Sequence, residues 1–246
     1  MKLEITLLHH SGFLVKTPKH VLVFDYWRHM PQYEGIDYGA PTPKEFKGED
    51  LLVFVSHRHP DHYDPLIFSF GEHAKKARWI LSSDVNAKPE DTSPSAIYEV
   101  SPGESHNLVD DCRILTYGST DAGVSFLVEI DGARILHCGD LNWWHWGQDS
   151  VEEQKKEEES FKSELDKIEG KIDVAFVPVD PRLGEAFSWA AAYALESKDI
   201  VWLVPMHFGD DISVPNRLAM DLGLGGYKEK IVTCLVKRGE STAVEI

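Results

Sequence analysis

Three histidines and an aspartate fall within the six residues His57-Arg58-His59-Pro60-Asp61-His62, directly after the apolar run Leu51-Leu52-Val53-Phe54-Val55. The run reads as a buried strand. Beyond it, His57, His59 and Asp61 point to one side if the chain stays extended. Pro60 favours that path because it biases His59 away from helix. His62 reaches the same point if the chain turns after Asp61. Imidazole nitrogen and carboxylate oxygen suit zinc and similar divalent ions. The alternative is a solvated loop that happens to be rich in His. Four ligand-type side chains at this spacing, set at the end of a core strand, make a metal site the stronger reading.

The flanking sequence supplies the frame around that strand. Leu3–Leu8, Phe13–Val15 and Val21–Phe24 are predicted as a meander. Residues 26–49 have no clear period and are expected to form a long loop, either a lid over a site or a passive surface excursion. A helix is expected from Pro65 to Ala77, with Pro65 in its first turn, then a short strand at Trp79–Leu81. Strands follow at Arg113–Tyr117, Val124–Ile130 and Ala133–His137. The last two are joined by Asp131-Gly132, a strong hairpin signal. Residues 150–168 are crowded with Glu and Lys, while Phe161, Leu165 and Ile168 recur at helical spacing, so an amphipathic helix is predicted. Strands at Val174–Val179 and Ile200–Met206 alternate with helices at Glu185–Leu195 and Val214–Leu222. Final strands are expected at Ile231–Val236 and Thr242–Ile246. No linker, repeat or low-complexity tract divides the chain, and residues 1–246 read as one α/β (α+β) domain.

The formal net charge is -16, which argues against a broad nucleic-acid surface or anionic-membrane docking, since both need clustered Lys and Arg. No apolar run approaches membrane-spanning length, and the N-terminus lacks a signal-peptide core. Cys112, Cys138 and Cys234 are odd in number and far apart. They suggest a reducing compartment without a disulfide framework, so cytoplasmic residence is the expectation. Whether the chain forms a homo-oligomer is left open.

Two later strand ends repeat the logic of the first. Ala133–His137 runs into Cys138-Gly139-Asp140, and Ile200–Met206 into His207-Phe208-Gly209. Each is weak alone. Together with the residue 57–62 cluster they form an ordered set. That set, His57-x-His59-x-Asp61-His62, then Gly139-Asp140, then His207, resembles the metallo-β-lactamase-fold hydrolases across nearly the whole chain. Leu8-His9-His10-Ser11-Gly12-Phe13, Phe24-Asp25 and Val204-Pro205-Met206-His207-Phe208-Gly209 look most like the branch containing L-ascorbate-6-phosphate lactonase. The resemblance implies a four-layer αββα sandwich with the site at the lip between two sheets. It also implies one or two divalent metal ions, usually zinc, sometimes manganese or iron. His57 and His59 would hold the first ion. Asp61, His62 and His207 would hold the second, and Asp140 would bridge the two.

The family normally adds a further His to the first site. The corresponding stretch, Thr116-Tyr117-Gly118-Ser119-Thr120-Asp121-Ala122-Gly123, contains none. Asp121 is the leading replacement, since carboxylate oxygen also binds these ions; a weak or empty first site and a ligand from His145 follow. Cys138 reads as a small buried core residue rather than a ligand. Trp143, Trp144 and Trp146 could wall a pocket or anchor the charged helix. His145 could donate a proton to a leaving group, and Asp61 could orient the attacking water. His10 and Asp180 are candidates for supporting the ligands or touching substrate.

The expected activity is hydrolysis of an ester, lactone or phosphodiester bond of a small molecule by metal-bound hydroxide, since a divalent ion lowers the pKa of bound water toward neutrality. A nucleic-acid phosphodiesterase, disfavoured by the acidity, and a non-catalytic metal-binding scaffold with an incomplete first site are the alternatives.

Overall fold

The computed structural model describes residues 1–28, 30–86, 96–109 and 112–246. Two β-sheets pack face to face. The first has the order β13-β1-β2-β3-β4-β5-β6. It comprises β1 (Lys2–His9), β2 (Gly12–Lys16), β3 (His20–Phe24), β4 (Asp50–Val55), β5 (Lys76–Ser82), β6 (Ile97–Val100) and β13 (Ser241–Glu245). The second has the order β12-β11-β10-β9-β8-β7. Its strands are β7 (Ser105–Val109), β8 (Cys112–Tyr117), β9 (Ser125–Ile130), β10 (Ala133–His137), β11 (Ile172–Pro178) and β12 (Ile200–Met206).

Alternation along the first sheet sorts its side chains into two cores. Ile5, Phe13, Val15, Leu22, Phe24, Leu52 and Phe54 face the second sheet. Leu14, Val21, Val23, Leu51, Val53 and Val55 face outward. Phe13 meets Phe176 across the interface at 4.5 Å between ring centroids, and Phe54 meets Phe126 at 5.3 Å. Each fully buried Phe contributes on the order of 1.5–3 kcal/mol. The outer face of the first sheet is covered by Ile67 and Phe70 of a 3-10 helix, Pro65–Glu72, and by Phe46 of the short α1, Pro43–Phe46. Helices α2 (Val151–Asp166), α3 (Trp189–Ser197) and α4 (Val214–Asp221) bury Phe161, Leu165, Ala191, Ala194 and Leu218 in the core that includes the second sheet. The result is the expected αββα layering. Among the described residues, no helix is long and apolar enough to cross a membrane.

Several local expectations hold. Asp131 and Gly132 both have positive φ, 51° and 84°, as a tight hairpin turn demands. Ser150 caps α2 in a capping box with Glu153. Others change. The helix expected to run to Ala77 stops at Glu72 as a 3-10 helix, and Lys76 already belongs to β5. β6 and β7 are unanticipated. Residues 231–236 form no strand; Ile231 makes a single bridge to Leu203. Ile231, Val232 and Leu235 are buried there, a spacing that fits packing under a sheet edge rather than alternation across one.

Within the first sheet β3, β4 and β5 run parallel, and within the second β10, β11 and β12 do. The C-terminal ends of β3, β4, β10, β11 and β12 lead directly into Asp25, Ser56-His57, Cys138-Gly139-Asp140, Asp180 and His207. Open α/β sheets hold ligands beyond the carboxyl ends of their strands.

Candidate metal centre

The structure brings all seven candidate ligands into two adjoining groups. His57, His59, Asp121 and Asp140 form one. Asp61, His62 and His207, joined by His10, form the other. Within each group one ligand-type atom per residue lies within 4.8 Å of the rest. Asp140 stands between them. Its Oδ2 lies 3.3 Å from His57 Nε2, while its Oδ1 lies 3.2 Å from His62 Nε2 and 3.4 Å from His207 Nε2. One carboxylate thus turns an oxygen to each group.

Buried acceptors fix the imidazoles. His62 Nδ1 is 2.7 Å from Asp25 Oδ2, and His207 Nδ1 is 3.1 Å from Asp180 Oδ2. Ser56 Oγ donates to Asp25 Oδ2 at 2.6 Å, so at 2.9 Å it accepts from His57 Nδ1. In all three rings an Nδ1–H given to the neighbouring oxygen turns Nε2 toward the cluster, the arrangement a metal ligand needs. Asp25 also accepts from the Ser56 backbone N–H at 2.7 Å. Burial alone would push Asp25 up. The field of His137 and the hydrogen bond from His62 outweigh it and hold the carboxyl below its ordinary range.

Two glycines permit the convergence. Gly123 (φ +66°) and Gly139 (φ +53°) both press on Ser56. A Cβ at Gly123 would lie 1.9 Å from Ser56 O, and one at Gly139 would lie 2.7 Å from Ser56 Cβ. Only glycine combines that conformation with that approach. Thr120 ties the Asp121 loop to the Asp140 turn, donating to Asn142 O at 2.6 Å and accepting from Asn142 N at 2.9 Å.

A divalent cation fits this donor set. His62 Nε2 and Asp140 Oδ1 are buried and lack an aligned hydrogen-bond partner despite their 3.2 Å approach. The point between His62, His207 and Asp140 Oδ1 is thus ringed by ligand-type atoms, without a hydrogen-bond partner for His62 Nε2 and Asp140 Oδ1. Burial opposes charge on His62, yet Asp140 and Asp25 raise its pKa to about 10. The buried carboxylates therefore demand positive charge at that point, whether from a proton or a metal ion.

A cavity of about 440 Å³ opens over the cluster. His59, Asp61, Asp121, Asp140 and His207 form its floor, with Trp144, Trp146, Asp149, Glu157 and Arg182 around them. Trp144 and Trp146 lie parallel, 5.9 Å apart. Arg182 is paired with Asp180 and sits 5.7 Å over Trp146. Trp143 instead packs on Trp189 and Phe161, anchoring α2 and α3. The tryptophan block therefore does both jobs, divided by residue.

His145 packs on Trp189 at 4.5 Å and is found neither in the two ligand groups nor among the residues lining the cavity. Among the described residues, none from the 26–49 stretch lines this cavity either. Cys138 is fully buried in the core. The positioning roles of Asp25 and Ser56, and the place of Arg182 at the cavity, were not anticipated. Register offers the one signal for Asp25, since Phe24 pairs with Phe54 and so sets Asp25 level with the motif strand's end.

The comparisons with known proteins agree with this geometry. Residues 4–207 match the family described as the Beta-lactamase superfamily domain. The chain is 26% identical over 255 residues to a UPF0173 metal-dependent hydrolase of Korarchaeum cryptofilum, covering 97% of this chain and 98% of that protein. Its fold is similar to that of a metallo hydrolase from the hyperthermophilic archaeon Ignicoccus hospitalis, with a TM-score of 0.68 at 17% identity over 100% of both chains. It is also similar to the diiron β-hydroxylase CmlA of Streptomyces venezuelae, with a TM-score of 0.63 at 12% identity over 99% of this chain and 54% of that one. At those identities the structural likeness speaks for the fold alone. The family match over most of the chain, joined to paired His/Asp clusters at the lip of two sheets, shows that the chain belongs to the β-lactamase superfamily, among the metal-dependent hydrolases of the metallo-β-lactamase fold.

Proposed function

We propose that the chain hydrolyses an ester, lactone or phosphodiester bond of a small molecule at a two-ion centre, zinc being the expected metal. The position of Asp140, one oxygen toward each cluster, carries this reading. His57, His59 and Asp121 would hold one ion and Asp61, His62 and His207 the other. When bound, such ions activate water and polarise a carbonyl or phosphoryl oxygen.

The chain's own groups supply the rest. Asp25 and Asp180 keep His62 and His207 in the ligating tautomer. Asp140 offsets part of the repulsion between two cations. Trp144 and Trp146 give the cavity an apolar wall on which a substrate can pack. Arg182, fixed by Asp180, sets a positive charge at the cavity's edge, suited to a phosphate or carboxylate on the substrate. The cavity's size and the chain's acidity favour a small molecule over a nucleic acid. This is also the substrate class of the lactonase-like branch, and a cytoplasmic location fits the cysteine usage.

Elemental analysis of protein purified without added metal, followed by a panel of lactones, phosphodiesters and thioesters, tests the reading. His59→Ala should lose metal and turnover together. Full turnover in that variant, or wild-type protein inert toward the whole panel when loaded with zinc, would refute it.

A further inference from the structure

We infer that His10 is a neutral hydrogen-bond donor to an oxygen of the substrate, and not a fourth protein ligand completing the Asp61–His62–His207 group. The inference rests on the two-ion hydrolytic reading of the same site. His10 lies beside those residues and, by composition alone, would pass as a ligand. Its hydrogen bonding says otherwise. The Gly209 backbone N–H donates to His10 Nδ1 at 3.2 Å. A ring nitrogen that accepts an N–H presents its lone pair there, so the proton of the neutral ring is on Nε2. Turning the ring over would set a carbon against the Gly209 N–H and leave that donor unmet. His62 and His207 have the opposite arrangement: Nδ1 gives its proton to a carboxylate oxygen, and Nε2 faces Asp140.

The backbone is built to hold this orientation. His10 and His207 both adopt left-handed conformations, φ 55° and 64°. They are laced together, the His207 N–H donating to His10 O at 3.1 Å, with the two rings 4.0 Å apart. Such conformations in residues other than glycine persist only where surrounding contacts impose them, and they gather at functional sites.

The Nε2–H has no aligned acceptor within the protein. The nearest carboxylate oxygen, Asp61 Oδ2, is 3.5 Å away, long for a hydrogen bond. The donor is therefore buried and unmet beside Asp61 and His207, which line the cavity although His10 itself does not. An oxygen gaining negative charge during hydrolysis would meet it there.

Asn and Gln separate the possibilities. Asn offers an amide near the Nδ1 position and tolerates the left-handed backbone, whereas Gln reaches the Nε2 position. Long-range 1H–15N spectra of zinc-loaded protein, with the His10 signal identified by its loss in His10→Asn, should show Nε2 protonated and Nδ1 bare. An Nδ1–H tautomer with Nε2 on zinc would overturn the inference. Zinc content should be unchanged in His10→Asn and His10→Gln, and loss of zinc from both would also overturn it. With inorganic phosphate as the oxyanion probe, affinity should fall about tenfold in His10→Asn and largely recover in His10→Gln. Unchanged phosphate affinity in His10→Asn would count against a donor role. On any panel substrate that turns over, kcat should fall about 100-fold in His10→Asn with KM nearly constant. A wild-type protein that hydrolyses nothing, yet shows the Nε2–H tautomer and His10-dependent phosphate binding, would refute the hydrolytic reading while upholding His10 as a donor.

Discussion

The two ligand groups share Asp140 but are enclosed differently. In the group around His57, the side chains of His59 and Asp121 are 41% and 48% exposed. They lie on loops, His59 after β4 and Asp121 after β8. In the other group, His62 and His207 are 0% and 4% exposed, each with its far nitrogen on a carboxylate that is itself 1% exposed. The second group thus has two side chains oriented before any ion arrives and one, Asp61, 43% exposed; the first has only His57 buried and held, with His59 and Asp121 both exposed. Pre-organisation lowers the ordering cost of binding, so the second group should bind more tightly and the first should exchange.

Removing the shared residue should have the largest effect. Asp140→Ala takes one oxygen from each group and should abolish binding at both, with turnover at assay background; elemental analysis and the hydrolase panel check it. Asp121→Ala should act on the first group alone, lowering bound metal by about half and sparing the second. If that variant binds as much metal as wild type, the His57 group does not depend on Asp121 and the two groups do not differ in this way. Brief dialysis against a chelator should strip wild-type protein in two phases. The fast phase should be missing in Asp121→Ala. Loss in a single phase would mean that the two groups are equally enclosed.

How far the sequence reveals this arrangement depends on where the information lies. The His57–His62 cluster, Asp140 and His207 are legible because each follows an apolar strand that fixes its height in the fold. Asp121 is legible only by elimination, as a carboxylate where a histidine is lacking. Asp25 is not legible from its own surroundings. Its partners Ser56 and His62 are 31 and 37 residues away, and only the parallel pairing of β3 with β4 brings them close. For His145 the sequence shows a histidine near Asp140 but not the alternation that sets Trp144 and Trp146 at the cavity and His145 on Trp189. Among the strands, β6 and β7 escape notice for one reason. Both are short edge strands: β6 has four residues, and β7 opens on Ser105, His106 and Asn107.

The finest test of the asymmetry lies in the carboxylates that orient the buried histidines. Asp25 uses both oxygens: Oδ1 accepts from Ser56 N, and Oδ2 from Ser56 Oγ and His62 Nδ1. Asn cannot replace it, because whichever way the amide is turned, its NH2 confronts a donor. Asp25→Asn should therefore weaken metal binding near the upper end of the roughly 10–100-fold range for such supporting groups. Because Ser56 also holds His57, both groups should suffer. Asp180 differs. Its Oδ2 meets His207 Nδ1, but its other protein partner is Arg182, which lies largely in solvent. Asn at 180 can turn its carbonyl to His207 and let the Arg182 guanidinium swing toward water, so that only the Arg182 backbone N–H, which donates to Asp180 Oδ1 at 2.9 Å, is left facing the amide NH2. Asp180→Asn should cost only about tenfold, confined to the second group. Isothermal titration with zinc on the two variants reads the difference directly. Equal losses would mean that Asp25 does not serve both groups through Ser56.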